Sequence, residues 1–136
     1  RSQRIGTYRN TLVADCYNAN PSSMRASVGN FLAEPLEERQ RRVLILGDML
    51  ELGAWSEEEH RQVILQATQD PAAELLLVGG EFARAYASLP EPRPAARLYP
   101  SYTELAEALA AAPLHDALIL VKASRGIGLD RIVAKL

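Results

Sequence analysis

Four short apolar runs recur along the chain: Leu12-Val13-Ala14, Val43-Leu44-Ile45-Leu46, Leu75-Leu76-Leu77-Val78 and Leu118-Ile119-Leu120-Val121. They are continuous rather than alternating. Alternation marks a strand with one face in water, whereas a continuous run marks a strand buried on both faces, as in a parallel sheet. Parallel neighbours need a crossover connection, and the stretches between the runs have helical period. Met24, Val28, Phe31 and Leu32 share one helical face, as do His60, Val63, Ile64 and Ala67. Phe82, Ala85, Tyr86 and Leu89 form a third face, Leu105, Leu109 and Ala112 a fourth, and Leu129, Ile132, Val133 and Leu136 a fifth. Strand and helix therefore alternate. The expected fold class is α/β: a Rossmann-like three-layer domain with a mostly parallel buried sheet, helices on both faces and right-handed crossovers.

Local signals mark the element ends. Asn20 before Pro21 reads as an N-cap with proline in the first helical position. Ser56 with Glu59, and Ser101 with Glu104, read as capping boxes. Residues 4–9 are expected to form an extra antiparallel strand, hairpinned to the first run through Arg9-Asn10. Residues 90–100 hold prolines at 90, 92, 94 and 100 and read as a surface loop with a short edge strand near Leu98.

Composition bounds the function. At 136 residues the chain is the size of one domain, taken as residues 1–136. Fifteen Lys and Arg against 17 Asp and Glu argue against a strongly basic nucleic-acid binder. No apolar run approaches the roughly 20 residues of a membrane span, so no membrane insertion is expected. The opening Arg-Ser-Gln-Arg-Ile-Gly lacks the apolar core of a secretory leader, and one cysteine, Cys16, excludes an internal disulfide. A cytoplasmic location is expected. With two histidines and one cysteine, no metal site is expected.

Each apolar run ends in polar residues or glycine: Asp15, Gly47-Asp48, Gly79-Gly80 and Lys122. In open α/β sheets ligands bind outside the carboxyl ends of the strands, so these groups gather on the binding edge. Three segments there could carry chemistry. In Asp15-Cys16-Tyr17-Asn18-Ala19-Asn20-Pro21, a strand-end carboxylate suits ribose hydroxyls, the amides suit a base edge or phosphate, and the tyrosine offers a stacking face. The same string also reads simply as a capped turn. In Gly47-Asp48-Met49-Leu50-Glu51-Leu52-Gly53, Asp48 and Glu51 could hold a substrate ammonium group or be solvated loop charges. His60, further on, reads as a packed, hydrogen-bonded histidine. In Lys122-Ala123-Ser124-Arg125-Gly126-Ile127-Gly128, two cations, a hydroxyl and glycines suit a carboxylate or phosphate; alternatively the glycines only turn the chain. Neither G-x-x-x-x-G-K-[ST] nor G-x-G-x-x-G occurs, so the usual triphosphate grip is missing.

Taken together, these segments resemble the C-terminal domain of the Mur ligases. The string from Asp15 to Met24 is similar to the motif that opens that domain, and its Tyr-Asn-Ala-Asn-Pro form is that of the members that add D-alanyl-D-alanine. Leu46-Gly-Asp-Met-Leu-Glu-Leu-Gly53 with Ser56-Glu-Glu-Glu-His60 resembles the next signature. Val121-Lys-Ala-Ser-Arg-Gly126 resembles the last, with Ala123 where the family usually has glycine.

The resemblance implies an ATP-dependent amide-bond ligase acting in cytoplasmic peptidoglycan synthesis, which joins D-alanyl-D-alanine to UDP-N-acetylmuramoyl-tripeptide. It implies an N-terminal domain that holds the UDP-sugar and a central domain with the ATP phosphate loop and Mg2+ sites. This chain would close over the nucleotide and help to receive the dipeptide, and alone it would be inactive. The implied nucleotide-side residues are Arg1, Asp15, Tyr17, Asn18 and Asn20, with Asp15 on the ribose. Lys122, Ser124 and Arg125 would handle phosphate or the dipeptide carboxylate, and Asp48 and Glu51 would border the amine. The alternative is a stand-alone nucleotide-binding or interaction module of the same fold.

Overall fold

The computed structural model describes residues 3–15 and 19–136. Six strands form one sheet: β1 (Gln3–Gly6), β2 (Asn10–Asp15), β3 (Arg41–Gly47), β4 (Glu74–Val78), β5 (Arg97–Tyr99) and β6 (Ala117–Lys122). Their spatial order is β1-β2-β6-β3-β4-β5. β1 pairs antiparallel with β2, and the remaining neighbours are parallel. The helices are α1 (Pro21–Ala33), α2 (Ser56–Ala67), α3 (Gly80–Ala87) and α4 (Tyr102–Ala111), with a 3-10 helix at Leu129–Lys135.

The continuous apolar runs are explained by two cores. Leu44, Leu46, Leu75, Leu77, Leu118 and Leu120 face α1, α2 and α3, packing with Met24, Phe31, Ile64 and Phe82. The alternate residues Val43, Ile45, Leu76, Val78, Ile119 and Val121 face the other side, with Leu105, Leu109 and Ile132. Successive side chains of a strand point to opposite faces, so a strand covered twice must be apolar at every position. Among the described residues no helix is long and apolar enough to cross a membrane.

Most local signals act as expected. Asn20 caps α1: its side chain accepts from the Ser23 N–H at 2.9 Å, and the Ser23 hydroxyl accepts from the Asn20 N–H at 3.1 Å. Ser101 caps α4 by accepting from the Thr103 N–H, and its hydroxyl donates to Glu104.

Four expectations need correction. The hairpin turns at residues 7–9 rather than at Arg9-Asn10, because the Thr7 hydroxyl takes the Asn10 N–H at 2.8 Å and Asn10 already begins β2. Ser56 does not cap α2. A 3-10 turn at Gly53–Trp55 leads into the helix, so Trp55 is helical at the cap position and Ser56 lies inside, its hydroxyl drawn to Glu81. The last helix is a 3-10 helix, in which Leu129 and Ile132, three apart, fall on one side and are both buried. Ala112 is the exposed C-cap of α4, not part of its apolar face.

Candidate functional site

The parallel register sets the polar edge. Asp15 is level with Lys122, Lys122 with Leu46, and Gly47 with Val78. All these strands run the same way, so the segments that follow them emerge side by side.

Lys122 is the last residue of β6, and its side chain is fully buried. Its Nζ lies 2.7 Å from Oδ2 of Asp15 on the neighbouring strand. Burial pushes the Asp15 carboxyl upward, the hydrogen bond and charge of Lys122 pull it down, and with all its partners together it lies below its ordinary value. Lys122 thus lies inside the edge, where it fixes β2 against β6, rather than out on the loop.

Ser124 joins the three segments. Its N–H donates to the Asp48 carbonyl at 3.2 Å, its hydroxyl oxygen accepts from the Leu50 N–H at 3.1 Å, and its hydroxyl donates to the Ala19 carbonyl at 3.3 Å. Ala123 is buried beside Gly47. A β-carbon on Gly47 would stand 2.6 Å from the Ala123 methyl, so the alanine at 123 is accommodated because residue 47 has no side chain.

Asp48 is buried, and both carboxylate oxygens are taken up by the start of α3: Oδ2 accepts from the Glu81 N–H at 3.0 Å and Oδ1 from the Phe82 N–H at 2.9 Å. An anion suits that end of the helix dipole. Burial raises the Asp48 carboxyl above its ordinary value, against the two backbone bonds that favour the charge. Gly79, at φ 116°, leaves room for this carboxylate, where any β-carbon would collide with it. Asp48 therefore serves as a helix cap, with both carboxylate oxygens engaged by backbone N–H groups. Glu51, by contrast, is exposed at a left-handed φ of 65°.

His60 is the packed histidine expected. Its Nε2 accepts from the Met49 N–H at 3.0 Å, its Nδ1 lies 2.7 Å from the Ser56 carbonyl, and its ring meets Phe82 edge-on.

A cavity of about 290 Å³ opens beside loop 48–53, lined by Leu50, Glu51, Leu52, Ser56, Glu81 and Arg84 among others. Arg125 is exposed at the start of the 3-10 turn Arg125–Ile127. Asn20 is exposed, with its side-chain oxygen on the α1 cap. Arg1, Tyr17 and Asn18 lie outside the described residues. Glu81 and Arg84 were missed in the sequence. Their signal was Gly79-Gly80 at the end of β4, since whatever follows it must start on this same edge. A larger cavity, about 440 Å³, lies at the opposite end of the sheet against residues 7–11 and 37–40, away from all three segments.

The residues that meet on this edge are those of the three family-like strings. A model of the family described as Mur ligase, glutamate ligase domain, matches residues 1–125. The chain belongs to the Mur ligase family.

Among Mur ligase relatives, the UDP-N-acetylmuramoyl-tripeptide–D-alanyl-D-alanine ligase of Bacillus subtilis is 34% identical over 128 residues, covering 93% of this chain and 28% of that protein. The protein of the same name from Treponema pallidum is 36% identical over 126 residues, covering 90% and 26%. The chain thus spans little more than a quarter of the length of these relatives. Its fold is that of the corresponding part of the crystal structure of MurF ligase from Thermotoga maritima in complex with ADP. The TM-score is 0.73 at 21% identity, covering 97% of this chain and 29% of that one.

Proposed function

We propose that residues 1–136 form the C-terminal domain of an ATP-dependent Mur ligase that joins D-alanyl-D-alanine to UDP-N-acetylmuramoyl-tripeptide, closing onto the central and N-terminal domains of the same enzyme in the cytoplasm. The observation that carries this reading is Ser124, which ties together the three segments whose strings resemble the family's motifs, in a chain similar to D-alanyl-D-alanine-adding relatives. Those relatives' names supply the reaction, and the ADP held by the Thermotoga maritima protein supports nucleotide use.

The roles divide by exposure. Arg125 is an exposed cation on a loop held in place by Ser124, suited to a phosphate or to the dipeptide carboxylate. When bound, ATP supplies the phosphoryl group that activates the tripeptide carboxylate. Negative charge then develops in the reaction, and a fixed cation nearby favours it. Glu51 borders the amine beside the 290 Å³ cavity. Asp15 and Asn20 lie on the nucleotide side, with Arg1, Tyr17 and Asn18 assigned there from sequence. Lys122 and Asp48 act indirectly, by holding the loops that carry these groups. Among the described residues no three of His, Cys, Asp and Glu gather where they could hold a metal ion. The remaining groups must come from the other domains, and this chain alone does not ligate.

The test is phosphate release by the full-length enzyme. Turnover that requires ATP, UDP-N-acetylmuramoyl-tripeptide and D-alanyl-D-alanine together is expected. Turnover with a single amino acid in place of the dipeptide would overturn the assignment.

A further inference from the structure

Three consecutive residues of loop 48–53 are each fastened to a different element. The Asp48 carboxylate is held by the first N–H groups of α3, the Leu50 N–H by Ser124 after β6, and the Met49 N–H by His60 of α2. The first two attachments do not depend on the state of a histidine. The third does. A carbonyl can only accept, so the Ser56 carbonyl 2.7 Å from Nδ1 places the imidazole proton there, which leaves Nε2 as the acceptor for Met49. The ring is fully buried and edge-on to Phe82 at 4.5 Å between centroids, so it cannot swing to another partner. A second proton would turn Nε2 into a donor facing a donor.

We propose that His60 is a positioning residue: as the neutral, Nδ1-protonated imidazole it fixes the Met49 backbone and so aims Glu51, two residues on, at the substrate amine. The proposal deepens the ligase reading and rests on it for the identity of the amine. The charged groups facing the ring from neighbouring elements are Asp48 of the loop and Glu81 of α3; from its own helix comes Ser56, which bridges to Glu81.

Two measurements test this. Nitrogen NMR of the imidazole in this chain at neutral pH should show a protonated Nδ1 and a bare Nε2; the reverse tautomer overturns the proposal. In His60→Ala the Met49 and Glu51 amides should shift, and in His60→Gln, whose carboxamide oxygen can still accept from Met49, they should stay close to their original positions. Amides unmoved in His60→Ala overturn it as well. In the full-length enzyme, His60→Ala should raise the KM for D-alanyl-D-alanine about tenfold or more, as a misplaced contact does. His60→Gln should restore most of it. An enzyme that ligates D-alanyl-D-alanine with unchanged KM in both variants refutes the positioning role alone. An enzyme that does not use the dipeptide refutes the ligase reading and leaves the tautomer result to stand by itself.

Discussion

Lys122 Nζ and Asp15 Oδ2 lie 2.7 Å apart between level residues of two parallel strands, with the ammonium wholly buried. The pair closes the β2–β6 seam at the edge where the family segments meet. Two charges taken out of water need each other, and removing one leaves the other in a poor solvent. Lys122→Ala should therefore destabilise the domain by about 3–5 kcal/mol. Urea unfolding of Lys122→Ala, Asp15→Ala and the double variant checks this, and the double variant should lose much less than the sum of the singles.

Asp15 also sets a pH dependence. Asp15 titrates in the folded state below its ordinary value of 3.8. Its contribution is thus complete above the unfolded carboxylate range and is lost as pH falls through the lower folded value. Asp48 has the opposite sign. Burial raises its folded value, so its ionisation opposes folding as pH rises from 3.8 through that higher value. Stability against pH, measured for Asp15→Asn and Asp48→Asn, should change slope in opposite directions across the acid range.

Gly47 and Ala123 are coupled by contact. Gly47→Ala drives a methyl against the Ala123 side chain, with Ile127 at 3.0 Å and Leu129 at 3.1 Å close behind. Overpacking of this kind costs about 1–3 kcal/mol. In an Ala123→Gly background the same change should cost less, and thermal unfolding of the four proteins in the cycle measures the difference.

Ser124 and Arg125 are adjacent yet should behave differently. Ser124→Ala removes two hydroxyl-mediated ties between loops and should cost about 1–2 kcal/mol, by loss of neutral hydrogen bonds. Arg125→Ala changes an exposed side chain and should cost less stability than Ser124→Ala. In the full-length enzyme Arg125→Ala should lower kcat/KM for the dipeptide or ATP by about a hundredfold or more, as expected for a lost charge-stabilising donor. Denaturation and steady-state kinetics on both variants separate the two effects.

The strands were legible because burial on both faces leaves no polar position: Val43 and Leu44 serve opposite cores, and both must be apolar. The Asn20 cap was legible because capping is local, complete within residues 20–23. Ser56 misled because the same serine-to-glutamate spacing occurs inside a helix when a 3-10 turn precedes it. At the site, the edge was legible but the division of labour was not. Asp48 looks like a ligand for an ammonium group, yet its partners are backbone N–H groups of Glu81 and Phe82, which no side-chain pattern encodes. Lys122 looks like a loop cation, and only the strand register brings it to Asp15, 107 residues away. His60 gave its burial through helical period, but its partner is again a backbone group, on Met49.

The central claim is that the ligand-binding edge is the one where Ser124 joins the segments after β2, β3 and β6. Amide NMR of this chain, titrated with ATP and then with D-alanyl-D-alanine, tests it most directly. The account predicts shifts centred on residues 15–20, 47–53 and 122–128, with Glu81 and Arg84 beside them, at about millimolar affinity, near −4 kcal/mol, as befits part of a site completed by other domains. Shifts centred on the opposite end of the sheet, at residues 7–11 and 37–40, or no shifts on this edge with either ligand, would contradict it.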